Sequence, residues 1–139
     1  MRPSALFLTW AAIAALGVVS CKPKELPPPD PGGADMVVGA VVGAAETTGG
    51  IRLYKIIHVD DYPPPIGHEL HMIAYDPKVH TFEDGAKLWT KERARVKVAM
   101  PYLSSMKHIF IKRDHRVLTS EPVTEDEQAA WKKSKTSRD

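Results

Sequence analysis

Hydrophobic and polar positions follow regular patterns mainly in the later part of the chain. Residues 51–59 and 68–75 are rich in β-branched and aromatic residues with partial alternation. They predict two strands, separated by a proline-containing turn at 60–67. Residues 95–100 alternate between basic and apolar residues. They predict a strand with one solvent-facing side that ends at Pro101.

Two helices are predicted from capping signals. Thr81 precedes acidic residues that favour a helix start, and the helix should end near residues 92–93. Its apolar stripe is formed by residues four and three apart: Phe82, Ala86 and Trp89. Thr124 and Glu127 have the spacing of a capping box, which predicts a second helix through Trp131.

The order of these elements predicts the fold class. Residues 108–112 and 116–119 look like strands on either side of a hairpin tip at 113–115. We therefore predict an α+β domain over residues 51–133, with an antiparallel sheet of about five strands and one or two short helices. A small SH3-like β-barrel is the alternative. Residues 134–139 form a charged tail.

A proline- and glycine-rich segment precedes this domain. Residues 22–35 contain five prolines followed by a glycine pair, which predicts an extended, stiff tether. Residues 36–50 are apolar with interspersed glycines, and they fit either a first strand or a continuation of the tether. We assign residues 21–50 to the tether.

The amino terminus has the features of an export signal. Arg2 supplies a positive charge, and an apolar run covers residues 5–19. That run is short for a membrane span and suits the hydrophobic region of a signal peptide. It ends in Ser20 and Cys21, and this arrangement resembles the lipobox of bacterial lipoproteins.

The resemblance implies that residues 1–20 are a signal peptide, that cleavage occurs before Cys21, and that the Cys21 thiol carries a diacylglyceryl group. Acyl chains bind a bilayer strongly, so the domain would be held at the membrane in the cell envelope. In Gram-negative lipoproteins, an aspartate directly after the lipidated cysteine usually retains the protein at the inner membrane. This chain has Lys22 at that position, which implies that the protein is anchored in the outer membrane and faces the periplasm if the host is Gram-negative. An uncleaved anchor helix is the alternative.

Composition narrows the function classes. The 139 residues suffice for one domain, and the net charge of +2 does not indicate a nucleic-acid-binding protein. The single cysteine excludes an intrachain disulfide and a cysteine-rich zinc site. No sequence motif of an enzyme is present, so we predict no catalytic residues and a protein that is not an enzyme.

The six histidines raise the question of a metal site: His58, His68, His71, His80, His108 and His115. His58 and Asp60 can share a strand face, and His71 can join them only through cross-strand pairing. No helical H-E-x-x-H spacing is present. We therefore predict scattered surface histidines, with no metal and no cofactor. A metal- or ligand-binding domain that uses the histidines, with or without enzymatic activity, is the alternative.

Two surfaces are candidates for binding a partner. Arg95 and Lys97 fall in a basic stretch and would form a patch if they share the exposed face of their strand. Tyr62 and Pro64 lie in a rigid apolar turn that suits docking with little loss of entropy. We predict a non-enzymatic module that binds another envelope component, with a protein as its partner and the membrane as its anchor.

Overall fold

Five antiparallel strands form the centre of the fold in the computed structural model, which describes residues 25–137. The strands are β1 (Ala40–Ala45), β2 (Ile51–Tyr62), β3 (Gly67–Val79), β4 (Lys97–Met106) and β5 (His115–Ser120). Their spatial order is β4-β3-β2-β1-β5, and every neighbouring pair is antiparallel. The predicted α+β class is confirmed. The sheet of the described residues is open, so the closed-barrel alternative is wrong.

Short helices accompany the sheet: α1 (Phe82–Lys91), α2 (Lys107–Phe110) and α3 (Glu125–Thr136), with a 3-10 turn at Arg93–Arg95. The predicted caps are confirmed. The Thr81 hydroxyl accepts a hydrogen bond from the backbone N–H of Asp84 at 3.0 Å. Thr124 and Glu127 form the reciprocal capping box at the start of α3.

Both faces of the sheet are covered by apolar contacts. On one side of the sheet, strand residues pack together with Leu88 and Trp89 of α1, and we call this cluster the α1 face. Its strand residues are Val41, Leu53, Ile57, Ile73, Tyr75 and Leu118. On the other side, strand residues pack together with Phe110 of α2 and with Met36, and we call this cluster the α2 face. Its strand residues are Ala40, Val42, Ala44, Tyr54, Ile56, Leu70, Met72 and Ala74. The inner strands are therefore buried on two sides, which removes most of the polar–apolar alternation from their sequences.

The domain begins before Ile51, so the predicted start at residue 51 is wrong. β1 lies between β2 and β5, inside the range assigned to the tether. Its small apolar residues fit a strand buried on both sides, and Gly43 lies against Ile51 and Phe82 side chains. Met36 is also buried and Leu26 packs against the α1 face, so part of the proline-rich segment contacts the domain.

Two strands continue past the residues at which the sequence predicts that they end, and each passes through a proline. β4 continues through Pro101 to Met106, because β4 is an edge strand and Pro101 lies where the β3–β4 register shifts between Met72 and Ala74. β3 continues past Pro77 to Val79, at a point where the β2–β3 register shifts between Ile51 and Leu53. A register irregularity is one of the few strand sites that accept proline.

Of the two strands predicted within residues 108–119, the second is confirmed and the first is wrong. His108 lies in helix α2, and only His115–Ser120 forms a strand. Phe110 is buried in the α2 face, where its ring meets Tyr54 edge-on at 5.5 Å. Tertiary packing of that ring outweighs the strand propensity of the surrounding isoleucines.

A buried lysine connects the sheet to the start of α3. Lys55 on β2 is only 1% exposed. Its ammonium group lies within hydrogen-bond distance of three oxygens: Glu121 Oε1 at 3.0 Å, the Pro122 carbonyl at 2.9 Å and Glu127 Oε1 at 2.9 Å. The charge is therefore compensated inside the protein, and the first turn of α3 is tied to the centre of the sheet.

Candidate functional site

Strand pairing brings four ionisable side chains together near the end of the β2–β3 hairpin. The β2–β3 register shifts between Ile56 and His58, so that His58 lies opposite His71 and Asp60 lies opposite Glu69. Residues two apart on a strand share a face, and directly paired residues are neighbours across strands. All four side chains therefore lie on one side of the hairpin. We call His58, Asp60, Glu69 and His71 the His71 cluster.

The carboxylate of Asp60 lies between the two histidines. Its Oδ1 is 2.9 Å from His58 Nε2, and its Oδ2 is 2.8 Å from His71 Nε2. Glu69 Oε1 is a second carboxylate oxygen near His71 Nε2, at 3.1 Å. The side chain of His71 is only 3% exposed. One buried ring nitrogen thus faces two carboxylates at once.

The other nitrogen of His71 is held by β4. His71 Nδ1 is 2.7 Å from the hydroxyl of Tyr102. Because ionised carboxylates only accept hydrogen bonds, Nε2 is the donor to Asp60, and in the tautomer with the proton on Nε2 the Nδ1 atom can accept from the hydroxyl of Tyr102. If a cation replaced the Nε2 proton, Nδ1 would be protonated and would donate to the same hydroxyl oxygen. Tyr102 can therefore orient His71 in either tautomer.

The environment keeps Asp60 ionised. Burial alone would raise its pKa, but the hydrogen bonds from His58 and His71 outweigh that effect and hold the pKa of Asp60 below its ordinary value. An ionised carboxylate at the centre of the cluster is the state that binds a cation.

The spacing of the donor atoms suits a metal ion. One ligand atom from each of Asp60, Glu69 and His71 lies within 4.8 Å of the other two. Ligands placed tetrahedrally at about 2.0–2.1 Å from zinc are about 3.3 Å apart. The contacts of His71 Nε2 with the two carboxylates, 2.8 and 3.1 Å, are already close to that value. A small outward movement of the carboxylates would admit an ion.

Helix α3 forms one wall of the site. A cavity of about 310 Å³ lies beside the cluster, and its lining includes Asp60, His71, Tyr102, Trp131 and Lys135. Trp131 stacks on His58 with ring centroids 3.8 Å apart and ring planes 24° apart. It also meets the ring of His71 edge-on, at 6.0 Å. The cluster is therefore reached from a cleft between the sheet and α3.

The basic residues predicted as a binding patch do not share a strand face. Arg95 lies in the 3-10 turn before β4, and its guanidinium pairs with Glu92 at 3.2 Å. Lys97 is the first residue of β4 and is exposed. Neighbouring Arg93 pairs with Glu121, also at 3.2 Å. Carboxylates therefore offset part of the positive charge that the sequence suggested.

The predicted apolar turn lies at the tip of the β2–β3 hairpin. Tyr62 is the last residue of β2, and Pro64 lies in the turn that follows. Tyr62 and Ile66 are 40% and 53% exposed. Tyr62 also lines the cavity beside the His71 cluster, and its hydroxyl lies 3.4 Å from Glu69. Cys21, the predicted lipidation site, lies outside the described residues.

The sequence pattern relates His58, Asp60 and His71 to one another but does not single out Glu69 or Tyr102 as site residues. Glu69 could have been found from the sequence, because it lies two residues before His71 on the same strand and therefore shares its face. Tyr102 had no such signal, because its position depends on the register between β3 and β4, which shifts twice.

Comparisons with protein-family models, with curated proteins and with solved structures returned no match to this chain. None of the helices within residues 25–137 is both long and apolar enough to cross a membrane.

Proposed function

We propose that this protein is a lipid-anchored envelope protein whose domain binds one divalent transition-metal ion at the His71 cluster. The observation that carries the metal proposal is the pair of carboxylates, from Asp60 and Glu69, that face one buried nitrogen of His71. Imidazole with carboxylate oxygens is a donor set that suits zinc and neighbouring transition metals.

The anchoring part of the proposal rests on the lipobox-like sequence that ends at Cys21. A domain attached in this way would meet its metal in the envelope, facing the periplasm if the host is Gram-negative. This proposal replaces the expectation of scattered surface histidines at His58 and His71. His68, by contrast, lies exposed on the same hairpin and pairs with Asp61.

The test is a calorimetric titration of the metal-free, full-length protein in detergent with Zn²⁺. We expect one ion per chain. His71→Ala removes a ligand and should weaken binding by at least about 100-fold, since even outer-shell changes at metal sites cost 10–100-fold. The matched control is His68→Ala, which should leave the affinity within about twofold.

A second variant protects the test against misfolding of His71→Ala. Glu69→Gln keeps the size of the side chain and one acceptor oxygen but removes its charge, and it should weaken Zn²⁺ binding by at least about tenfold. The proposal is wrong if the wild-type protein binds no Zn²⁺, or if His71→Ala and Glu69→Gln bind it as tightly as wild type.

A second candidate function is the docking of an envelope protein at the hairpin tip, which the exposure of Tyr62 and Ile66 favours. A photo-crosslinking residue at position 66 should capture one specific protein in intact cells, while the same residue at position 87, on α1, should not. Capture of lipid alone from position 66 would contradict this function.

A further inference from the structure

His58 is the one member of the His71 cluster whose donor atom lies outside the convergent group of three. Its Nε2 contacts Oδ1 of Asp60, whereas His71 contacts Oδ2 of the same carboxylate. The rings of the two histidines are 5.6 Å apart between centroids. Zinc held by protein ligands alone is almost always four-coordinate. His58 is therefore placed to supply the fourth ligand, provided that its ring turns toward the other three.

The ring of His58 is already engaged in another contact. It lies nearly parallel to Trp131 of α3, at 3.8 Å. His71 Nε2 contacts Oδ2 of Asp60 and also Glu69, whereas His58 contacts Oδ1 and does not belong to the convergent group of three. To bind the same ion as His71, the His58 ring must turn away from Oδ1 of Asp60, and a turn of the ring about its side-chain bonds disturbs its near-parallel stack on Trp131. Metal coordination and the aromatic stack thus compete for one side chain.

The two halves of α3 are held in different ways. Its first turn is fixed by the capping box of Thr124 and by the ion pair of Glu127 with buried Lys55. Its carboxyl-terminal half is attached to the α1 face through Trp131, and none of the described residues 125–136 is fully buried. Loss of the stack therefore weakens the attachment of the second half and leaves the first half in place.

We infer that His58 is the fourth metal ligand and that its recruitment releases the carboxyl-terminal half of α3 from the sheet. This inference rests on the proposed metal function. It makes the position of α3 dependent on metal occupancy. It also gives the site four protein ligands, an arrangement typical of non-catalytic zinc sites.

Hydrogen exchange with and without saturating Zn²⁺ tests the inference in the full-length protein. We expect residues 131–136 to exchange about 2- to 10-fold faster with Zn²⁺, which is the fold-change expected for one lost aromatic contact. Exchange in β2 and β3 should not become faster. His58→Ala should bind Zn²⁺ at least about tenfold more weakly and should show no Zn²⁺-dependent change in α3. His68→Ala should behave like wild type.

X-ray absorption of the zinc-loaded protein supplies an independent readout, with two histidine ligands expected in wild type and one in His58→Ala. If Zn²⁺ binds but exchange at 131–136 is unchanged or slower, the inference is overturned while the metal function stands. A single histidine ligand in wild type also overturns the inference alone. If calorimetry detects no Zn²⁺ binding, the proposed function fails and the inference fails with it.

Discussion

Replacing Lys55 by methionine should destabilise the protein through the loss of one buried charge. Methionine has a similar length and no charge, so the change removes the ammonium group with little change in packing. The variant leaves the carboxylates of Glu121 and Glu127 and the carbonyl of Pro122 without the ammonium contacts of 3.0, 2.9 and 2.9 Å. Arg93 still pairs with Glu121 at 3.2 Å, whereas the ion pair of Glu127 in the described part of the chain is the one with Lys55.

The magnitude follows from how far water can compensate the partners. Breaking a fully buried ion pair from one side costs about 3–5 kcal/mol. The Glu121 side chain is 34% exposed and keeps its contacts with Arg93 and Trp89, whereas the Glu127 side chain is 17% exposed. Partial hydration reduces the cost, and we expect a loss of about 2–3 kcal/mol in the free energy of unfolding.

Urea unfolding followed by circular dichroism measures this loss, and an unchanged m-value would show that the unfolding transition itself is the same. Lys87→Met is the matched control, because Lys87 is exposed on α1 and its replacement should change stability by no more than about 0.5 kcal/mol. Equal stability of Lys55→Met and Lys87→Met would refute the reasoning, because the three contacts would then contribute nothing.

Two further predictions concern the backbone and the response to acid. Gly39 has φ +92°, and an added Cβ would lie 2.6 Å from the carbonyl oxygen of Glu121; Gly39→Ala should therefore cost about 2 kcal/mol or more in urea unfolding, and a neutral result would contradict the tight approach. Burial raises the pKa of Glu121 and Glu127, but hydrogen bonds and the charge of Lys55 outweigh it and hold both values below normal. Their stabilisation is present above the ordinary carboxyl pKa and is lost as the pH falls through the lowered values, so stability should drop below about pH 4.5. Thermal melts between pH 6 and pH 3 should show a smaller drop in Lys55→Met, and an equal drop in both proteins would exclude this pair as the cause.

The fold class was predictable because several elements carry local signals. The caps at Thr81 and Thr124 depend on a few adjacent residues, and both are present in the structure. The sequence does not decide between strand and tether over residues 36–50, because a short strand such as β1, buried on both faces, has no polar positions to mark its alternation. Helix α2 was missed because the burial of Phe110 against Tyr54, a contact between distant parts of the chain, decides its conformation.

The candidate site was predictable only within single strands. His58 and Asp60 are two apart, so their common face followed from strand geometry. Which residues of β3 lie opposite them depends on the irregularity between Ile56 and His58, and a shift of one residue would turn Glu69 and His71 to the other face. The hydrophobic pattern and the turn set the register of regular strands, but the position of this irregularity depends on tertiary packing, which periodicity along the chain does not encode.

The most direct test of the metal site is a crystal structure of the protein grown with zinc chloride, with an anomalous difference map measured at the zinc absorption edge. We predict one strong peak at about 2.0–2.2 Å from His71 Nε2 and from carboxylate oxygens of Asp60 and Glu69. Peaks confined to exposed histidines such as His68 or His108, with the contact between Asp60 and His71 intact, would contradict the proposed function.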